Sequence, residues 1–243
     1  MDFNTETRVR DIVATNPGAT HVLEDAGVDY CCGGEKSLRD ACVNAGTSAE
    51  EILSRLRDAA RQVRPEYRDW MSAPLAEITE HIRAKHHAFV RQSIQRVRAM
   101  LVKVTAKHAA NHPETTTIET AFGQLEMEMI AHMQKEEQIL FPYIGALERA
   151  AIAAEPLELP FFQSVRNPVG AMMKEHDSAG ELVKQIRTAS NDYNPPPNAC
   201  PTFEALYREL SEFEADLHQH VHLENNILFP RAVELEAAVD HQE

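Results

Sequence analysis

The sequence predicts an all-α protein: an antiparallel four-helix bundle preceded by a small helical module. Three observations carry that expectation. Glycine is scarce, at 9 in 243 residues, and no useful stretch alternates apolar and polar side chains as a half-buried strand would. Ala, Leu, Glu, Met, Arg and Gln recur at helical spacing throughout. After Pro74 that periodicity runs in long segments separated by short proline-containing breaks, the pattern of antiparallel helices with short connections.

Residues 1–65 read as a compact module of short helices over 5–15, 18–25, 37–44 and 48–63, broken at Asn16-Pro17-Gly18 and across 27–34. The segment 64–74 is polar and holds Pro65 and Pro74, which marks a linker with a boundary near residue 70. Long helices are then expected over 75–108, 117–149, 165–190 and 201–238. The breaks between them are Asn111-His112-Pro113, the stretch from Pro156 to Pro160, and Asn194-Pro195-Pro196-Pro197. Residues 74–240 form the bundle.

The charge balance narrows the partners. With 38 acidic and 24 basic residues the chain carries a formal charge of −14, which repels nucleic acid and anionic membrane surfaces. No basic patch offsets it. The segment MDFNTETRVR lacks the apolar core of a signal peptide, and no run of about 18 apolar residues exists to cross a membrane. The expectation is a soluble, cytoplasmic protein. Its four cysteines, Cys31, Cys32, Cys42 and Cys200, do not form the pattern of a disulfide framework, so reduced thiols are expected.

The chemistry lies in an internal repeat. His132-Met133-Gln134-Lys135-Glu136-Glu137-Gln138-Ile139-Leu140-Phe141-Pro142 in the second long helix matches His220-Val221-His222-Leu223-Glu224-Asn225-Asn226-Ile227-Leu228-Phe229-Pro230 in the fourth, at a constant offset of 88. The first and third helices match more weakly, Lys85-His86-His87 against Lys174-Glu175-His176, at an offset of 89. Two helical hairpins of one design therefore each contribute a histidine followed by a His-x-x-x-Glu pair.

Positions four apart share a helix face, and these fall on the apolar stripes. His220 and Glu224 interrupt Leu210, Phe213, Leu217, Val221, Ile227 and Leu228; His132 and Glu136 interrupt Leu125, Met129, Met133, Ile139, Leu140 and Tyr143. His176 lies among Val165, Val169, Met172, Met173 and Val183, and His87 continues the face of Val90, Ile94, Val97 and Leu101. Burying two carboxylates and four imidazoles without partners costs several kcal/mol per charged group. A metal resolves that conflict. Four neutral imidazoles with two carboxylates that can bridge suit a pair of iron ions, whereas structural zinc takes four ligands and magnesium or calcium takes oxygen.

Any one of these residues taken alone reads better as a satisfied core or groove residue, but four histidines and two glutamates at repeated spacing on inward stripes do not. His218 and His222 lie ~200° around the helix from His220 and read as solvated. His21, His81, His108, His112 and His241 have no repeat partner, and the match of His86 with Glu175 favours His87 as ligand. Glu128 and Asp216, four residues before His132 and His220, suit either a role in orienting imidazoles or relaying protons, or an ordinary helix surface.

The His-x-x-x-Glu-[EN]-x-[IL]-Leu-Phe-Pro repeat resembles hemerythrin-like domains. Together with Asp29-Tyr30-Cys31-Cys32-Gly33-Gly34 and Trp70-Met71-Ser72-Ala73-Pro74-Leu75, it resembles the Repair of Iron Centres family over nearly the whole chain. These are di-iron proteins implicated in restoring iron–sulfur clusters after nitrosative or oxidative damage. The resemblance implies metal ligands at His87, His132, Glu136, His176, His220 and Glu224. It also implies an oxo or hydroxo bridge between the irons and an approach lined by Glu128 and Glu175.

Cys31 and Cys32, in a glycine-flanked turn, cannot close on one metal as a Cys-x-x-Cys pair does. They read either as exposed thiolates able to exchange disulfides, pass on iron or react with nitric oxide, or as small buried residues. Cys42 and Cys200 show no partner. Oxygen-carrying hemerythrins use more histidines and lack the Cys-Cys module, which argues against a pure oxygen carrier. Three functions remain: iron donation to damaged iron–sulfur proteins, reduction of nitric oxide to nitrous oxide with Glu128 or Glu175 relaying protons, and sensing of oxygen, nitric oxide or iron. The first is the main expectation.

Overall fold

The structure, a computed structural model, describes residues 3–16, 18–61, 68–155, 157–158 and 160–240. Pro17, His241 and residues 62–67, which take in the end of the expected helix 48–63 and the first four residues of the expected linker, lie outside the described residues. The chain divides into two compact units, one comprising Met1–Thr79, Leu147–Pro156 and His218–Glu243, the other Glu80–Ala146 and Leu157–Leu217. Among the described residues no helix is long and apolar enough to cross a membrane.

The first unit opens with α1 (Val9–Thr15), α2 (Ala19–Asp25), α3 (Leu38–Ala45) and α4 (Ala49–Ala60). Helix α1 begins four residues later than the periodicity predicts. Asn4 accepts the Glu6 amide through its side chain and the Thr7 amide through its carbonyl, a local turn that competes with helix. Ser37 caps α3 by accepting from Asp40 N, and Ser48 caps α4 by accepting from Glu51 N. One stripe of each helix supplies a shared core including Ile12, Leu23, Leu38, Ile52 and Leu56, all at most 1% exposed. Each such side chain contributes roughly 1.5–3 kcal/mol on burial.

This unit also holds α5 (Leu75–His81) up to Thr79, the end of α8 (Phe141–Ala153), and α11 (Phe229–Asp240). Glu148 caps α5, its two carboxylate oxygens accepting from Leu75 N at 2.6 Å and Ala76 N at 2.9 Å. The Cys-Cys loop rests on residues just before α11. Asn226 donates to the Tyr30 carbonyl at 3.0 Å, and a Cβ at Gly34 would stand 2.6 Å from Asn226 Oδ1. A side chain at position 34 would have to displace the Asn226 amide or the loop itself.

The second unit is the body of the bundle. It contains α6 (Ala88–His108), α7 (Glu114–Lys135), α9 (Arg166–Ala189) and α10 (Pro201–Leu223) as far as Leu217. Val90, Ile94, Val97 and Leu101 of α6 face inward, as do Ile118, Phe122, Leu125 and Met129 of α7, each set spaced three or four apart. Phe122 meets Phe213 of α10 edge-on at 5.6 Å, a geometry worth about 0.5–1.5 kcal/mol beyond burial. Arg187 of α9 grips the buried Glu214 of α10, which also accepts from Tyr193.

Three of the four long helices contain a π turn: Ile82–His87, Glu136–Leu140 and Glu224–Leu228. In the last two, Phe141 N and Phe229 N donate to the carbonyls five residues back, at Glu136 and Glu224. Pro142 and Pro230 come next, and a proline ring clashes with the carbonyl four residues back in a regular α-helix. The wider turn relieves that clash. It also shifts the helical phase of the residues beyond it. Ile139, expected on the apolar stripe, is 37% exposed, while Leu140 and Ile144 are buried. Met173 is likewise 42% exposed because its neighbour Met172 takes the inward position.

Candidate metal centre

Each expected ligand is positioned by a helix turn that its local sequence dictates. His132 lies in the last turn of α7 and Glu136 opens the π turn after it; His220 and Glu224 hold the same places after α10. His87 closes the first π turn, and His176 lies within α9. All six are at most 2% exposed. Ligand atoms of His87, Glu136, His220 and Glu224 lie within 4.8 Å of one another, as do those of His132, Glu136, His176 and Glu224. The two groups share both glutamates.

Glu136 decides how this cluster must be read. His87 Nε2 and His132 Nε2 each stand 3.3 Å from its Oε2, yet both of its carboxylate oxygens are buried without a hydrogen-bond donor. A fully buried carboxylate in that position is costly unless a cation meets it. Imidazole Nε2 atoms and carboxylate oxygens converging on one point make a donor set that fits borderline divalent metals.

The outer nitrogens of two of these imidazoles are held in turn. His87 Nδ1 meets Glu137 Oε1 at 2.7 Å, and Arg91 donates to both Glu137 oxygens at 2.8 and 2.9 Å. His132 Nδ1 meets Glu175 Oε2 at 2.9 Å, and Lys135 also pairs with Glu175. Carboxylates accept only, so in each pair the imidazole donates from Nδ1, which leaves Nε2 as the ring nitrogen facing the cluster. Burial raises the Glu137 carboxyl, but its bonds to His87 and Arg91 outweigh that and hold it below its usual range. The bond to His132, with help from Lys135 and against partial burial, holds Glu175 down to about 2.

The remaining candidates have other neighbours. Glu128 is exposed and accepts from Ser178 Oγ at 2.8 Å. Asp216 accepts from His86 Nδ1 at 2.9 Å. His222, which the sequence places in solvent, is 6% exposed. Its ring packs edge-on against Tyr30 and its Nδ1 meets the Asn226 amide at 2.9 Å, and burial pushes the imidazole down to about 4. The Cys-Cys loop covers that face of the helix, which helical periodicity alone leaves open. Cys31 is buried and Cys32 partly exposed. The hydrogen bond to Cys32, then burial, raises the Cys31 thiol well above its usual value.

Sequence reasoning missed Glu137, Arg91 and Lys135 as holders of the imidazoles. The repeat could not reveal them, because their counterparts are Asn225, Gly180 and Leu223. The doubled acid of Glu136-Glu137 was the available signal.

Comparison with known proteins gives the arrangement its family. Residues 77–232 match the Hemerythrin HHE cation binding domain, and residues 5–60 match a domain of unknown function, DUF542. The chain is 35% identical over 223 residues to the iron-sulfur cluster repair protein YtfE of Escherichia coli O157:H7, covering 92% of this chain and 94% of that one. This chain belongs to the YtfE family. The YtfE proteins of Citrobacter koseri and Shigella boydii serotype 4 are 34% and 35% identical over the same shares of both chains. The family's hemerythrin-like domain spans both groups of converging side chains.

Proposed function

We propose that this protein repairs iron–sulfur clusters damaged by nitrosative or oxidative stress, donating iron held between His87, His132, Glu136, His176, His220 and Glu224. The observation that carries the reading is Glu136, whose buried carboxylate has no hydrogen-bond donor and stands 3.3 Å from two imidazole nitrogens. Relatives 34–35% identical over 92% of this chain are named iron-sulfur cluster repair proteins. Glu136 and Glu224 belong to both ligand groups, so they are the residues to bridge two irons, with an oxo or hydroxo group completing the pair. Bound iron would supply the metal that a damaged cluster has lost and a site for small ligands such as nitric oxide or oxygen.

The surrounding residues then have defined tasks. Glu137 and Glu175 keep the His87 and His132 rings oriented and their Nδ1 atoms protonated. Four neutral imidazoles against two carboxylates leave the site less negative than a carboxylate-rich one, which favours release. Residues 1–65 act as the module that meets the client and 74–240 as the metal-holding bundle, in a cytoplasmic setting where Cys32 stays reduced, its thiolate free to bind iron in passage or to attack a client disulfide and release the client thiolate. Cys31, being buried, supports that loop.

The test mixes the iron-loaded protein anaerobically with a cluster protein that has lost one iron, with no iron added. Recovery of client cluster absorbance with the intact chain, and its loss with Glu136→Ala, is the expected result. Full retention of iron by this protein with no client recovery overturns donation, and nitrous oxide released on adding nitric oxide would assign the site to that reduction instead.

A further inference from the structure

At the far end of the second unit lies a cluster outside the candidate metal centre. His108 is the last residue of α6, 21 residues beyond His87, about 30 Å along the axis. Its Nε2 lies 3.3 Å from Cys200 Sγ. Cys200 stands at the N-cap of α10, where its carbonyl accepts from Phe203 N at 2.8 Å and Glu204 N at 3.1 Å, so its sulfur sits at the positive end of a 23-residue helix. The thiol is partly exposed. The imidazole is held by its neighbours: the Phe203 ring packs on it at 5.4 Å and the His112 ring meets it edge-on at 6.2 Å. His112 is itself fixed by Glu114 through Nδ1 at 3.0 Å.

A nucleophile within reach of a base that other groups orient is the arrangement that activates a thiol. We propose that Cys200 and His108 form a nucleophile–base pair, a modification site at which the Cys200 thiol is oxidised by small peroxides. His108 Nε2 takes the thiol proton, and a sulfur electron pair attacks one oxygen of hydrogen peroxide. The S–O bond forms as the O–O bond breaks, and the departing hydroxide receives the proton back from His108 and leaves as water. Sulfur is oxidised by two electrons to the sulfenic acid and peroxide is reduced. A small uncharged oxidant suits a partly covered thiol among aromatic rings. The product is reversible by free thiols.

The experiment treats the full-length, iron-loaded protein with limiting hydrogen peroxide, traps sulfenic acid with dimedone, and follows the peptide holding Cys200 by mass spectrometry. The same chain in urea sets the rate for an unsupported cysteine. Folded Cys200 is expected to label at least tenfold faster than in urea. His108→Gln is expected to lower the folded rate by roughly tenfold or more, with unchanged helix content and iron content. A folded rate at or below the urea rate overturns the proposal, as does a His108→Gln rate equal to that of the parent. Should His108→Gln lower helix content, His112→Gln serves instead, with an intermediate rate expected and an unchanged one counting against the pair.

Discussion

The Nε2 atoms of His132 and His176 lie 3.1 Å apart, on rings that are each 2% exposed. Glu175 accepts a hydrogen bond from Nδ1 of His132, so the two rings face each other through the atoms that would hold a metal. Glu136 stands on the same point. Iron content measured with Mössbauer spectroscopy on anaerobically purified protein should therefore approach two coupled ions per chain. It should fall sharply in Glu136→Ala and in Glu224→Ala, and undiminished iron in either variant contradicts the bridging assignment.

Stripping the metal should destabilise the fold, because ligand binding to the native state adds about 2.7 kcal/mol at a hundredfold excess over the dissociation constant. For a chain of this size that corresponds to about 5–10 °C. Thermal melts before and after dialysis against a chelator measure it, and an unchanged midpoint counts against a metal in the buried cluster.

Glu175 supplies a pH test on the metal-free protein. Its folded carboxyl is held down to about 2 from an ordinary 4.5. A depressed carboxylate contributes stability that is present above the ordinary value and is lost as pH falls through 4.5 towards 2. Glu175→Gln should thus be less stable than the parent at pH 7, and the gap should narrow as pH drops below 4.5. Chemical denaturation at pH 7, 5 and 4 tracks it, and a gap that widens on acidification excludes the pairing.

Loss of Glu214 tests the bundle away from the metal. Glu214 is 5% exposed and accepts from both Arg187 and Tyr193, and the carboxylate holds the Tyr193 hydroxyl, already raised by burial, above its usual range. Glu214→Ala strands a half-buried guanidinium and should cost about 2–4 kcal/mol in urea unfolding, with iron content unchanged.

The two adjacent thiols should differ. Cys31 is buried and its thiol raised, so iodoacetamide at pH 7.5 should label Cys32 well before Cys31. Equal rates would place both thiols in solvent.

Sequence alone determined the four long helices and the six inward polar residues, because helical periodicity and an internal repeat at offsets of 88 and 89 are one-dimensional signals. It also marked Cys31 and Cys32 as a motif. Tertiary structure decided which of the remaining groups touch. Glu137 reaches His87 and Arg91 reaches Glu137 across neighbouring helices, and no spacing within one helix encodes that. The π turns at Glu136 and Glu224 shift the helix phase, so a strict 3.6-residue period misplaces Ile139. His222 is buried because a loop nearly 200 residues earlier in the chain packs Tyr30 against it, and His108 meets Cys200 because two helix ends come together. Periodicity sets which face of a helix is apolar, whereas packing between distant segments settles what that face and its opposite come to touch.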